Sequence, residues 1–357
     1  MTAASRLDDP EALGEAGPRI MLGLAGALGT QLHTGFDIGR TVADPPEPEG
    51  LRAIVACGMG GSGIAGDVLR SLYADRLGVP LLVVKGHVLP EFCGRETLVL
   101  ASSFSGNTEE TLAVYAEAVA RGCRVVAFSA GGELASLAEA DLVTHVPLPG
   151  DVPMPRAALG YLAGAPLGVL DAVGMVPPAE EEVTEAAGVL DALAAELGPE
   201  VPAGPNEAKG LAGWLEARTP VIWGSEGIAE AAALRWKTQV NENAKGPAWS
   251  AVLPELDHNE VEGWAPGSNH GRGHAVVVLR HPGEDPRASA RVKATIESVR
   301  PSGLEVREVE ARGRRPLQWL LSLVMLGDFT TTYLGVARGV DPMPIPVLTG
   351  LKERLRR

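Results

Sequence analysis

The chain has 357 residues, 45% hydrophobic and 21% charged, which gives it apolar material for a real core and length for two domains. A formal net charge of −14 argues against wide contact with nucleic acid or an anionic membrane, although it leaves room for a small pocket of positive potential. Cys57, Cys93 and Cys123 form an odd set without framework spacing, which suits a reducing cytoplasm; the acidic start, with Asp8, Asp9, Glu11 and Glu15, lacks the basic leader of a secretory signal.

In chain order, "RAIVAC" predicts a strand, followed by a helix from about Ser62 to Arg76 and the strands "PLLVV" and "TLVLASS". A helix from about Thr108 to Ala120 and the strands "RVVAFS" and "LVTHVPL" complete a first block. Short β-rich runs alternating with helices imply a parallel sheet with crossover helices. The Pro/Gly-punctuated Ala/Glu stretch that begins "MVPPAEEEV" predicts a helical connector. A second block opens with "TPVIWGS" and the helical run "IAEAAALRWKTQVNENA". It continues through an irregular Pro/Gly/Asn-rich loop, the strand "HAVVVL", a helix around 288–299 and the strand "LEVREVE". A long apolar helix from Pro316 to Ala337 follows, either an interface element or core; its run "LQWLLSLVMLG" is 11 residues, too short to span a bilayer before it meets Asp328. The chain closes on "DPMPIPVLTGLKERLRR", a Pro-rich crossing and a short basic helix. Strand, Gly-turn and helix open both blocks, which suggests a duplicated fold. The expected division is 1–172, a connector over 173–210, and 211–357.

Between "LRAIVA" and its helix lies "CGMGGSGIAG", where Gly58, Gly60 and Gly63 fit the spacing of a dinucleotide loop. That use needs an acid at the end of the second strand to take the ribose hydroxyls, but Lys85, Gly86 and His87 stand there. This disfavours NAD more than NADP, so a reductase reading stays open. The third strand ends in "ASSFSGNTEETL", with Ser102, Ser103, Ser105 and Thr108 on the turn into a helix. Helix capping by Ser105 or Asn107 accounts for any one of them. Four hydroxyls in seven residues, beside a second Gly/Ser loop at the end of an adjacent parallel strand, point instead to a site for one phosphate.

"GMGGSGIAG" and "SFSGNTEET" resemble the paired phosphate loops of SIS (sugar isomerase) domains, and "NENAKGPAWSAVLPELDHNEVEGW" resembles the catalytic segment of the bifunctional phosphoglucose/phosphomannose isomerases. The similarity runs from about Ile54 to Lys352. It implies two SIS-type three-layer α/β/α domains with parallel sheets and a phosphosugar site between them. It also implies that Gly60, Gly61, Ser62, Ser103, Ser105 and Thr108 hold a sugar 6-phosphate, that Glu242 is the catalytic base and that His258 opens the sugar ring. In "MPRAAL" the resemblance gives Arg156 the enediolate, and in "LKERL" it gives Lys352 the ring oxygen. No cofactor is implied. The partners implied are a small sugar phosphate and a second copy of the chain, in a homodimer whose histidine comes from the neighbouring subunit, with no nucleic acid and no membrane.

The chemistry suits these residue types. Aldose–ketose exchange moves one proton between C1 and C2, which a carboxylate of mildly raised pKa can take and return. Ring opening moves a proton both ways near neutrality, which fits imidazole. A fixed cation such as Arg156 stabilises the enediolate. His258, His270, His274 and His281 also raise a metal-ligand reading, although their spacing in a Gly-rich loop does not put them on one helical face. A sugar-phosphate sensor without catalysis is the remaining alternative.

Overall fold

The computed structural model describes residues 6–14, 17–267 and 270–355; the outermost residues of both termini, Glu15 and Ala16, and Ser268 and Asn269 of the Gly-rich loop lie outside this set. The chain forms two units. One takes Ala27–Asp191 and Arg315–Gln318, the other Met1–Gly26, Ala192–Arg314 and Trp319–Arg357.

The first unit is built on β1 (Ala53–Cys57), β2 (Leu81–Val84), β3 (Thr97–Ser102), β4 (Arg124–Ser129) and β5 (Thr144–Pro147). They form one parallel sheet in the order β2-β1-β3-β4-β5. Strands β1 and β3 are buried along their whole length, which is why they appear in the sequence as unbroken apolar runs rather than alternating ones. The helices of this unit are α1 (Leu28–Arg40), α2 (Gly60–Tyr73), α3 (Glu109–Ala120), α4 (Gly132–Ala140) and α5 (Leu159–Ala172). On one face, Val55, Cys57, Val99, Ala101 and Ala127 pack with Val114, Tyr115 and Ala118 of α3 and Leu134 and Ala138 of α4. On the other, Ala56 and Leu100 meet Ala65 and Leu69 of α2 and Leu162 and Pro166 of α5. The result is three layers.

Helices α1 and α5 cross at backbone contact. A Cβ on Gly164 would lie 2.4 Å from the Leu32 carbonyl oxygen, and one on Gly168 would lie 2.2 Å from that of Phe36. Only glycine permits such an approach. Neither helix is expected from the sequence, and glycines and Pro166 interrupt the helical pattern of α5.

The second unit carries β6 (Thr219–Ser225), β7 (Trp249–Leu253), β8 (His274–Arg280) and β9 (Glu305–Glu310), parallel and in the order β7-β6-β8-β9. Its order repeats that of β2-β1-β3-β4, so the two units share one topology. The segment expected to be an irregular loop after residue 244 contains β7. That strand lies at the sheet edge with Trp249 half exposed, and it lacks the continuous apolar run that marks the inner strands. The helices here are α6 (Glu180–Leu197), which enters from the first unit, α7 (Glu207–Leu215), α8 (Ile228–Asn243), α9 (Pro286–Val299), α10 (Pro316–Ala337) and α11 (Pro346–Leu355).

Helix α10 has the expected bounds, and Asp328 within it is accommodated inside the fold. Its carboxylate takes two hydrogen bonds from buried Arg235 on α8, at 3.0 and 2.9 Å. By length and composition α10 is apolar enough to cross a bilayer, but its apolar window is wholly buried in the fold, which makes it a core helix.

Candidate active site

The strand order of the first unit reverses at β1, so the crevice between the carboxyl ends of β1 and β3 is its switch point, the place where open α/β sheets bind ligands. The glycine loop leaves β1 there and the serine loop leaves β3. The N-cap of α2 is Met59, whose side chain makes no capping bond. The amides of Ser62 and Gly63 donate to the Met59 carbonyl, while those of Gly60 and Gly61 stand ahead of the helical ladder. Gly60 adopts φ +53°, a conformation that glycine takes without strain.

The serine loop is ordered by its own hydroxyls. Ser103 Oγ donates to Thr108 Oγ1 at 2.9 Å and accepts from the Thr108 amide at 3.3 Å. Ser62 Oγ accepts from the Phe104 amide at 3.2 Å and so ties the two loops together. Thr108, rather than Ser105 or Asn107, is the N-cap of α3, and its side chain makes no capping bond. Two helices thus begin at the switch point without a side-chain cap, and their positive dipole ends are available to an anion. Ser105 is exposed on the same loop, and its hydroxyl accepts from the Asn107 amide at 3.3 Å.

Arg156 is buried in the short turn Pro155–Ala157, against the glycine loop. A Cβ on Gly61 would lie 2.6 Å from the Pro155 carbonyl oxygen and 2.9 Å from Arg156 Cα. That approach brings the Pro-Arg element to the cradle. Lys85, where a dinucleotide fold would carry its acid, forms an ion pair with the buried carboxylate of Asp67 on α2. Cys57, at the end of β1, has its thiol pushed up to about 12 by burial and stays protonated.

In the second unit, Glu242 lies in the last turn of α8. That helix is fastened to α10 by the Arg235–Asp328 pair, by Trp236 Nε1 donating to the Leu323 carbonyl at 2.7 Å, and by Asn243 donating to Thr331 Oγ1 at 3.0 Å. Lys245 follows in a left-handed conformation, φ +53°. Its ammonium donates to the Glu242 carbonyl and to those of Pro342 and Pro344, at 3.2 and 2.6 Å for the latter two. Lys245 therefore joins the Glu242 turn to the approach of α11. Glu242, Asn241, Lys245, Pro344, Val347 and Leu348 line a cavity of about 720 Å³. Lys352 lies one helical turn beyond Leu348 on α11, exposed. No residue of α11 is buried, and Val347, Leu351 and Leu355 present an apolar face to solvent.

His258 ends a 3₁₀ turn, Glu255–His258, that follows β7. Its neighbours hold the turn. Leu256 is buried with Val292 and Ile296 of α9. Asp257 accepts from Thr295 Oγ1 at 2.8 Å and from Arg291 at 3.2 Å. Asn259 donates to Glu255 at 2.9 Å, and Glu260 accepts from the indole of buried Trp223 at 3.0 Å. His258 itself is exposed.

Helix α8 returns from the carboxyl end of β6 to the amino end of β7, so Glu242 and His258 of one chain lie at opposite ends of β7. Five strand residues alone span about 16 Å, too far for both groups to act on adjacent carbons. The other histidines scatter: His274 opens β8 and lies edge-on to Trp264, whereas His281 follows β8 and stacks on Trp319. Among the described residues no group of three His, Cys, Asp or Glu side chains is arranged to hold a metal.

Residues 205–355 match the bacterial phospho-glucose isomerase C-terminal SIS domain. A bifunctional phosphoglucose/phosphomannose isomerase of Caldicellulosiruptor bescii is 35% identical over 329 residues, covering 92% of this chain and 96% of the relative. The chain belongs to the bifunctional phosphoglucose/phosphomannose isomerase family. The family member from Thermoplasma acidophilum is 33% identical over 85% of this chain and 89% of its own length. Among solved structures, a hypothetical protein of Thermus thermophilus superimposes with a TM-score of 0.72 at 21% identity, over 99% of this chain and 93% of the other, a likeness of fold. Lys245, Asp257 and Glu260 lie within the motifs that carry the resemblance, yet their roles depend on partners remote in sequence.

Proposed function

We propose that this isomerase interconverts a hexose 6-phosphate aldose, glucose 6-phosphate or mannose 6-phosphate, with fructose 6-phosphate by side-chain proton transfer through a cis-enediolate. The observation that carries this reading is the pair of uncapped helix starts at the β1/β3 switch point, framed by Gly60, Gly61, Ser62, Ser103, Ser105 and Thr108. Such a cradle suits one dianionic phosphoryl group. His258 moves a proton between the ring oxygen and O1 to open the sugar, with Lys352 assisting at the ring oxygen. Glu242 then takes the C2 proton; the electron pair forms the C1=C2 bond and the carbonyl oxygen becomes an oxyanion. The O2 hydroxyl proton passes to O1, the same carboxyl returns its proton to C1, and the ketone forms at C2. Arg156 offsets the oxyanion charge, and the phosphate contributes remote binding energy that positions the reacting carbons.

Because Glu242 and His258 of one chain lie at opposite ends of β7, the reading includes a homodimer in which each site takes its histidine from the second copy. The exposed apolar face of α11 beside the Glu242 cavity supports that arrangement. A coupled assay on both aldose phosphates, with Glu242→Gln beside the wild type, is the test. The variant should lose about a thousandfold in kcat while its sugar-phosphate affinity stays within about threefold. Undiminished turnover would show that another group is the base. A wild-type monomer that binds sugar phosphate without turnover would favour the sensor reading, which the separation of Glu242 and His258 within one chain otherwise motivates.

A further inference from the structure

We infer that Asp257 is a positioning residue for His258, acting through the Thr295 hydroxyl of α9; this rests on the reading that His258 opens the sugar ring. A 3₁₀ turn has three residues per turn, so successive side chains leave it about 120° apart. In the turn Glu255–His258, Leu256 points into the core and is 2% exposed, and Asp257 points onto α9. With two of the three directions fixed, the third belongs to His258. Thr295 is itself buried, 5% exposed, and its one hydroxyl hydrogen is shared between Asp257 and the Arg291 carbonyl, 2.9 Å away, which sets its rotamer. The Thr295–Asp257 bond at 2.8 Å is thus a fixed strut between a core helix and the residue that precedes the histidine. The Arg291 contact, from a half-exposed guanidinium at 3.2 Å, is the weaker hold. On the other side of His258, Asn259 accepts from the Glu260 amide at 2.6 Å, and the Glu260 carboxylate meets two indoles, Trp223 at 3.0 Å and Trp264 at 3.4 Å.

An exposed imidazole that must reach a bound sugar has no packing of its own to hold it. Its aim comes from the backbone of the turn, and displacement by about 1 Å costs on the order of a hundredfold in rate. Asp257 supplies the local constraint against such drift. It touches neither the reacting carbons nor, in this assignment, the phosphate.

The test is a mutant cycle read in kcat, KM and the pH profile. Asp257→Ala should lower kcat about ten- to a hundredfold with KM for sugar 6-phosphate within about twofold. Asp257→Asn, which keeps an acceptor for Thr295, should recover most of the loss, and Thr295→Val should reproduce it in part. In a His258→Ala background, Asp257→Ala should cost nothing further. If Asp257→Ala does not fold, Thr295→Val in both backgrounds carries the same comparison. An equal loss with and without His258 would overturn the inference, as would full activity of Asp257→Ala. His258→Ala with undiminished turnover would instead overturn the assignment of the histidine, a separate result.

Discussion

The two units share a strand order but differ in what stands at the carboxyl ends of their strands. Between β1 and β3 the loops are glycine and serine, the helix starts are uncapped, and Arg156 is drawn in beside Gly61. At the carboxyl end of β8 in the second unit, an ion-pair network reaches toward β9 instead. Arg280, at the end of β8, is held by Glu284 at 2.7 Å, by Ser289 at 2.9 Å and by Glu308. His281 beside it stacks on Trp319, with ring centroids 5.5 Å apart. Helix α8, which leaves β6, carries Glu242 at its far end. One copy of the shared topology thus carries a glycine and serine cradle at its strand ends, and the other carries an ion-pair network beside β8.

That contrast can be broken by substitution. The largest effect is expected from Arg280→Met, which leaves Glu284 buried without its partner and should destabilise the protein by about 3–5 kcal/mol in urea unfolding, with KM unchanged in whatever fraction remains folded. A small stability change would mean that this network does not hold the β8 end of the sheet together. Next comes Gly61→Ala. Its methyl would meet backbone atoms of Pro155 and Arg156, and steady-state kinetics should show a fall of about a hundredfold in kcat/KM, roughly 2.7 kcal/mol. Ser103→Ala removes the hydroxyl that orders Thr108 and should raise KM about tenfold, roughly 1.4 kcal/mol, with kcat changing less. An unaltered KM there would place the phosphate elsewhere.

The smallest effect concerns pH. Burial of His281 lowers its imidazole from the ordinary value of about 6.5, since the charged form is desolvated. Above that value both folded and unfolded states are neutral and nothing is lost. As pH falls below it, the unfolded chain binds a proton that the folded one resists, so stability declines toward acid. His281→Phe should therefore flatten the fall in Tm between pH 7 and pH 5 while retaining the stack on Trp319. An unchanged slope would assign the acid sensitivity to other groups, such as His145, which burial lowers in the same sense.

By itself the sequence determined the inner strands, the crossover helices and the two loops, because these depend on local composition, whereas Glu242 and His258 stand out only through the family resemblance of their segment. A strand buried on both faces must be an unbroken apolar run, and a backbone that approaches an anion or another backbone must be glycine. Strand β7 escaped because an edge strand has no such run, and α1 and α5 escaped because their glycines serve a helix crossing that only the partner helix reveals. The tertiary structure alone decided that Asp328 meets buried Arg235, that Lys85 pairs with Asp67, that Lys245 gathers three carbonyls, and that Asp257 leans on Thr295. It also decided that Glu242 and His258, sixteen residues apart in the chain, lie at opposite ends of one strand. Each of these turns on the direction in which a chain returns through a sheet, and no window of sequence contains that direction.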